Sequence, residues 1–317
     1  MRSFCIKAFV GLSLLLPVFF MGCGATDKVV EPEPSEEDPV AVNPYEPGLI
    51  GTDETLEVMT WNIQNFAKQG TITANHVINA VNGLQVDIIA LQEIENLVYF
   101  QQVREGLVDW TGDRATSASY SMNLAFLYRI EGPVQVSAVY EILTDYSREL
   151  PRSPFVLEGV MNGTEFVVIN NHYKCCGNTV IDDGDTWDEE TRRRDASLLI
   201  DDFIRTNYPD KAVIVVGDMN DELTDIPEKN VFQNFFAAPE KYRFVDLDIA
   251  EKREVYSYPS WPSHLDHILI SNQLFDAMEG PEAITIVAPL YEYLDGGWSA
   301  YDLQVSDHLP VVVRLKL

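Results

Sequence analysis

The chain has 317 residues, 46% of them hydrophobic, enough to fill a sizeable core and to exclude a disordered polymer. Its formal charge is −28 at pH 7, and loss of Arg2 and Lys7 with an N-terminal leader makes it more acidic still. That balance excludes a general binder of polyanions, since phosphate contacts need Lys and Arg, so any phosphate chemistry has to be local.

Residues 1–22 carry Arg2 and Lys7, then an apolar run from Ala8 to Phe20, then Met21-Gly22 before Cys23, the order of a secretory signal peptide. A membrane-spanning helix is the competing reading, but the run falls short of the roughly 20 residues a bilayer core requires, and Pro17 interrupts it. The small residue before Cys23 is similar to a bacterial lipobox, although Phe20 and Met21 are bulkier than usual there. Cys23 is therefore the expected lipidated residue. A lipid-anchored protein of the bacterial cell envelope, periplasmic or surface-exposed, is expected ahead of a simply secreted one.

Residues 23–55 turn to Glu, Asp and Pro, as in Glu31-Pro32-Glu33-Pro34-Ser35-Glu36-Glu37-Asp38-Pro39. Such a stretch lacks the apolar groups needed to offset ordering entropy and reads as a tether, with an export signal just after Cys23 as the alternative.

One catalytic domain is expected over residues 56–317. Strands are predicted at residues 56–62, 86–91, 125–128, 134–140, 155–161, 166–170, 212–216, 268–270 and 311–315. Helices are predicted around residues 75–81 and over 191–206, where Ala196, Leu199, Ile200 and Phe203 have helical spacing. Many strands with few, non-alternating helices point to two packed sheets flanked by helices.

Several of these strands end on polar groups: Thr60-Trp61-Asn62, Gln92-Glu93, Asn171-His172, Gly217-Asp218-Met219-Asn220, His264-Leu265-Asp266-His267 and Ser306-Asp307-His308. Strand ends on one edge of a layered domain converge, so these side chains can line one cleft. An adjacent acid and imidazole can divide the holding of a group from the exchange of a proton. Hard divalent cations take carboxylate and amide oxygens of the kind that Glu93, Asn62 and Asp307 offer, and would supply positive charge that the chain lacks. Each residue has a plainer reading: Glu93 as a surface acid, Asp218 as a turn cap, Asn220 as a left-handed turn residue, Asp266 as a strand-edge charge and Arg152 as half of a surface ion pair. His76, His264 and His267 are read as structural.

Trp61-Asn62-Ile63-Gln64-Asn65-Phe66, Ala90-Leu91-Gln92-Glu93, Arg152-Ser153-Pro154-Phe155, Asn171-His172, Gly217-Asp218-Met219-Asn220, Leu265-Asp266-His267-Ile268 and Ser306-Asp307-His308-Leu309-Pro310 together resemble the ordered motif set of the endonuclease/exonuclease/phosphatase family. The resemblance covers about residues 56–317, and the opening motif and residues 124–139 look most like pancreatic-type deoxyribonuclease. It implies a four-layer α/β/β/α sandwich and a metal-dependent phosphoester hydrolase that is most similar to an endonuclease. It further implies Glu93 as the principal Mg²⁺ ligand, with Mn²⁺ as a substitute, and Asn62 and Asp307 as supporting groups. His308, oriented by Asp266, would work with the nucleophilic water; Asp218 and Asn220 would position water and a phosphoryl oxygen; His172 would hydrogen-bond the phosphate or assist the leaving oxygen. Arg152 is a candidate to orient the site or the phosphate. The expected substrate is nucleic acid, with phospholipid head groups and sugar or inositol phosphates as the alternative, and a non-catalytic binding protein as the remaining class. A monomer is expected. Two departures count against double-stranded DNA: Ser121-Met122-Asn123 offers no acid to support His172, and Glu95 stands where relatives place an arginine.

The insertion after His172 runs through Lys174-Cys175-Cys176-Gly177, an acidic segment from Asp182 to Glu190, and Arg192-Arg193-Arg194. With Cys5 removed and Cys23 lipidated, Cys175 and Cys176 are left as free thiols, a strained vicinal disulfide or an intermolecular link, the vicinal bond being favoured in an oxidising envelope. The acidic segment reads as a solvated loop, with a Ca²⁺ site as the other reading. Arg192, Arg193 and Arg194 are candidates to hold substrate phosphate, against pairing with the preceding acids. Trp187 is a candidate stacking platform, against simple packing.

Overall fold

The structure is a computed structural model that describes residues 42–118 and 121–317. The signal-peptide reading and the lipidation of Cys23 lie outside the described residues, as does most of the tether. The compact unit begins at Val42, earlier than the expected start at Leu56. The reason is apolar anchoring: Tyr45 is fully buried, donates or accepts a 2.9 Å hydrogen bond with His76 Nδ1 and packs edge-on against Tyr293, and Ile50 is buried as well.

The strands, in chain order, are β1 (Leu56–Phe66), β2 (Ile88–Ile94), β3 (Trp110–Arg114), β4 (Asn123–Arg129), β5 (Val134–Glu141), β6 (Phe155–Met161), β7 (Thr164–His172), β8 (Ala212–Asp218), β9 (Tyr242–Phe244), β10 (Asp266–Ser271), β11 (Ile284–Val287) and β12 (Val311–Leu315). Among the described residues they form two six-stranded sheets, ordered β11-β12-β1-β2-β4-β3 and β5-β6-β7-β8-β10-β9. The helices are α1 (Thr71–Leu84), α2 (Leu97–Gly106), α3 (Glu189–Asn207), α4 (Gln233–Phe236), α5 (Leu247–Lys252), α6 (Phe275–Met278) and α7 (Gly297–Gln304). No described helix is long and apolar enough to cross a membrane.

The strand sequences explain the layering. In the second sheet Val168, Ile214, Val216, Ile268 and Ile270 join the central core between the sheets. Their neighbours Val167, Ile169, Val213, Val215 and Leu269 face the other way and pack on Ala196, Ile200 and Ile204 of α3. This two-residue alternation buries both faces and makes the expected α/β/β/α sandwich. Each fully buried Val, Leu or Ile contributes about 1.5–3 kcal/mol, so the core is set by these runs. Helix α3 starts where the sequence provides a cap: the Asp188 carboxylate accepts the Thr191 N–H at 2.8 Å, and Glu189 and Glu190 occupy the first turn.

The central strands of both sheets end at one edge. β1 and β2 run parallel, as do β7 and β8, so Asn62 lies beside Gln92 in one sheet and His172 beside Asp218 in the other. β10 returns antiparallel to β8 with Asp266 opposite Asp218. Beneath this edge the sheets are clasped by buried amides: Gln92 Nε2 donates to Asn170 Oδ1 at 2.8 Å, and Asn170 Nδ2 donates to the Leu91 and Ala125 carbonyls, each at 3.0 Å.

Candidate active site

Backbone irregularities aim the site residues. The β1–β2 register shifts between Asn62 and Phe66, and Gln64 and Asn65 adopt φ of 37° and 45°. Such a bulge turns side chains out of the pleat and toward the cleft. Glu93 itself has φ of 64°, a left-handed conformation that a non-glycine residue adopts at some cost. Gly217 has φ of 147°, and a Cβ there would lie 2.0 Å from the Asn171 carbonyl of the neighbouring strand. Only glycine lets β7 and β8 approach closely enough to set His172 beside Asp218.

These elements enclose a cleft of about 490 Å³ whose walls include Glu93, His172, Asp218, Asn220, Asp307 and His308. Asn62 lies just behind them: its Nδ2 donates to Asp218 Oδ2 at 2.9 Å and to Glu93 Oε1 at 3.2 Å, while its Oδ1 accepts the Gln64 N–H. Glu93 Oε2 accepts the Asn65 N–H at 2.7 Å, and Asp307 Oδ2 accepts from Gln64 Nε2 at 2.6 Å. The imidazole of His308 sits 2.8 Å by Nδ1 from Asp266 Oδ2 and 3.9 Å by Nε2 from Asp218 Oδ2. His172 Nε2 is 3.5 Å from the same Asp218 oxygen, so Asp218 is the acid beside His172 that the segment before β4 does not provide.

Burial, and then the charges crowded around them, sets the protonation of these groups. Burial raises Asp218 to about 6, with His308 and the Asn62 hydrogen bond opposing and the Asp266 and Glu93 charges assisting. Burial also raises Asp307, again with Glu93 assisting against His308. Burial disfavours a charged His308, but the Asp266 carboxylate and its hydrogen bond, with Asp218 and Asp307, more than reverse this and hold the imidazole up at about 10. His172 is driven the other way, well below its usual value, by burial and then by Arg152 and His308. One imidazole is thus charged and the other neutral at neutral pH.

The donor set fits a hard divalent cation. Glu93 and Asp307 offer carboxylate oxygens beside Asp218, and both Asp218 and Asp307 are raised first by burial and further by the Glu93 charge, which a cation would relieve; the Asn62 amide turns its Nδ2 to Glu93 and Asp218 and would have to turn over to offer its oxygen. The described residues also place Asp218, Asp266 and His308 within 4.8 Å of one another, and likewise Asp246, His264 and His267. The latter group is buried and internally hydrogen-bonded: Asp246 Oδ2 meets His267 Nδ1 at 2.6 Å and His264 Nε2 at 3.0 Å. Those histidines, like His76 on Tyr45 and Gln304, hold the fold.

Arg152 is buried, not part of a surface ion pair: Nη1 donates to the Tyr173 carbonyl at 3.4 Å, and no described carboxylate pairs with it. The three insertion arginines separate. Arg193 is a buried clamp, with Nε on Asp221 at 2.8 Å, Nη2 on Glu190 at 3.4 Å and Nη1 on the Lys174 and Cys176 carbonyls. Arg194 faces Asp183 and Asp195 and lines no part of the cleft. Arg192 stacks its guanidinium over Trp187, 5.5 Å from the ring centroid. Cys175 and Cys176 are two thiols with Sγ atoms 2.9 Å apart on the cleft wall, not the favoured vicinal disulfide.

Three supporting residues were given no role by the sequence. Tyr258 lies with its ring centroid 4.8 Å from that of His308. The Ser306 hydroxyl donates to the Asn62 carbonyl at 2.7 Å and accepts the His308 N–H at 3.0 Å, joining two motifs far apart in sequence. Ser257 Oγ accepts the Leu265 and Asp266 N–H groups, fixing Asp266 from a loop. Ser306 could have been flagged as a turn-forming hydroxyl before Asp307; Tyr258 and Ser257 stand in a loop without periodicity.

A search of curated sequences found no match. The structure is similar to D. rerio TDP2 complexed with a single strand DNA product, at 15% identity over 84% of this chain and 100% of that one, with a TM-score of 0.63. It is also similar to the human Nocturnin catalytic domain with bound sulfate (16% identity, 83% of this chain and 94% of that one, TM-score 0.56) and to an endonuclease/exonuclease/phosphatase from Bacteroides vulgatus (14%, 83% and 99%, TM-score 0.56). At these identities the likeness speaks for the fold. The model of the Endonuclease/Exonuclease/phosphatase family matches residues 59–308, and the chain therefore belongs to that family of phosphoester hydrolases.

Proposed function

We propose that the protein is a Mg²⁺-dependent phosphodiesterase acting on nucleic acid. The observation that carries the reading is the His308–Asp266 pair facing Asp218 beside Glu93 in one cleft. Glu93, Asp307 and Asn62 would hold the metal, which when bound supplies Lewis-acid stabilisation of charge on the phosphoryl group.

The chain's own residues do the rest. His308, kept charged by Asp266, presents Nε2–H to a phosphoryl oxygen, where charge grows in the transition state. Asp218, at about 6, is the carboxylate best matched to accept a proton from the attacking water near neutral pH. Asn220 faces the same space, its backbone N–H fixed on Asp218 Oδ1 at 3.0 Å. Neutral His172 hydrogen-bonds an oxygen without adding charge. No covalent intermediate is required. The DNA product in the fold relative D. rerio TDP2 is in keeping with a nucleic acid substrate.

A second reading, a phospholipid head group or a sugar or inositol phosphate, is favoured by Glu222 and Asp225, which line the cleft beside the Arg193-paired Glu190 and Asp221 and would repel a long polyanion there. The order of charged, apolar and small residues before Cys23 supports lipid attachment at the cell envelope, checked by the mass of the mature N-terminus.

The test is cleavage of plasmid DNA, single-stranded DNA, RNA and bis-nitrophenyl phosphate by the full chain, with and without Mg²⁺, beside His308→Ala. Metal-dependent nucleic acid cleavage lost in the variant is the expected result. Turnover of the small diester alone would keep the mechanism and reject the substrate.

A further inference from the structure

Beside the catalytic cleft lies a second cavity of about 800 Å³. The two share Met122 and Cys175 as a common wall, so an extended substrate seated in one reaches the other. In a chain of net charge −28 this second cavity has the opposite lining: among the described residues, Arg148, Arg152, Lys174 and Arg192 against the single acid Glu95.

These cations differ in what they can offer. Arg148 is engaged by Glu149 and by Asp195, the latter at 2.9 Å, and donates to the Thr186 carbonyl at 2.6 Å. It pins the loop instead of awaiting a ligand. Lys174 Nζ rests on the Cys175 carbonyl at 2.9 Å, with Glu189 at 4.0 Å. Arg152 is the informative one. The residue is only 9% exposed, and its Nε is a buried donor with no partner among the described residues. Its other contacts are the Tyr173 carbonyl and the Met122 sulfur, both at 3.4 Å. A buried guanidinium left with weak acceptors and, among the described residues, no paired carboxylate is a group arranged for an anion that arrives from outside.

Trp187 forms the rim of the same cavity. The residue is 64% exposed, although the backbone carrying its indole is fixed: the Trp187 backbone N–H donates to Asp185 Oδ1 at 2.8 Å, and Arg148 holds the preceding carbonyl. An exposed aromatic ring on a pinned loop offers a flat surface whose ordering cost is already met by the fold.

We propose that this cavity is a flanking subsite that takes the nucleotide next to the scissile bond of a single-stranded polynucleotide, with its phosphate at Arg152 and Lys174 and its base stacked on Trp187. Stacking on an exposed indole requires an unpaired base, which selects single strands over duplex. The inference rests on the nucleic acid reading of the catalytic cleft and adds to it the strandedness of the substrate and the grip on it. Trp187 thereby acquires a substrate role, while Arg193 and Arg194 do not.

The test compares the full-length wild type with Trp187→Ala and Lys174→Met, all with Mg²⁺, on bis-nitrophenyl phosphate and on end-labelled single-stranded oligonucleotides. The readout is kcat/KM for the oligonucleotide divided by kcat/KM for the small diester. This ratio should fall about tenfold or more in each variant, chiefly through KM. An oligonucleotide with abasic residues flanking the cleaved bond should lower the wild-type ratio by a similar factor and leave the Trp187→Ala ratio unchanged from its value on the intact oligonucleotide. Wild-type cleavage of oligonucleotides with unchanged ratios in both variants would overturn the subsite and keep the nucleic acid reading. Turnover of the small diester with no oligonucleotide cleavage would overturn both.

Discussion

Asp266 Oδ2 stands 2.8 Å from His308 Nδ1, at the first residue of β10 and directly opposite Asp218 of β8. This contact favours the charged imidazole, with Asp218 and Asp307 assisting, and orients the ring with Nε2 toward Asp218.

Replacing Asp266 by Asn keeps the shape and removes the charge. We expect kcat on bis-nitrophenyl phosphate to fall by about a hundredfold or more, with little change in KM. The His308 imidazole, held at about 10 with Asp266 ionised, should drop toward its ordinary value in an NMR titration of the metal-free protein. An unchanged titration would show that Asp266 does not govern His308.

Glu93→Gln should remove the principal carboxylate offered to a divalent cation. Mg²⁺ should raise the melting temperature of the wild type through preferential binding to the folded state and leave that of the variant unmoved. Turnover should fall by about a thousandfold, corresponding to several kcal/mol of lost charge stabilisation. Equal Mg²⁺ shifts in both proteins would place the ion elsewhere.

Arg193→Met should destabilise the fold by about 3 kcal/mol or more, because Glu190 and Asp221 would be left as buried carboxylates without their shared cation. Urea unfolding reads this directly. The Lys174 and Cys176 carbonyls lose their tie as well, so alkylation of Cys176 should quicken in the variant. A stability change within about 0.5 kcal/mol would mean that the clamp is dispensable.

Far from the cleft, the Glu57 N–H donates to Asp87 Oδ2 at 3.0 Å, and the two carboxyl groups are buried together. Burial raises both; the Asp87 charge raises Glu57 further, and Thr55 opposes. A carboxyl raised in the folded state binds more protons there than in the unfolded chain. This pair therefore costs no stability at low pH, and its cost grows as pH climbs from the usual carboxylate range toward neutrality. Glu57→Gln should flatten that part of the stability–pH profile, measured by denaturant midpoint from pH 5 upward.

The central strands could be read from composition because both of their faces are buried. Runs such as Val213-Ile214-Val215-Val216 and Val311-Val312-Val313 have no other stable place in water. Strands β3, β9 and β11 and helix α2 escaped notice: Trp110–Arg114 contains Asp113 and Arg114 at an edge, and α2 buries only Phe100 and Val103. The polar endings of β1, β2, β7, β8 and β10 marked the site, since an acid or amide closing an apolar run has few structural reasons to be there.

Residue types and their order along the chain thus determined the layered fold, the family and the set of acids, amides and imidazoles in the cleft. Only the tertiary structure decided how they divide. It gave Asp218 to both histidines, brought Tyr258 and Ser257 in from a loop, and turned Arg193 inward as a clamp while leaving Arg152 without a paired acid among the described residues. The physical reason is that strand patterns report burial, a local property of the chain, whereas charge and hydrogen-bond partnership depend on which side chains meet across sheets and loops.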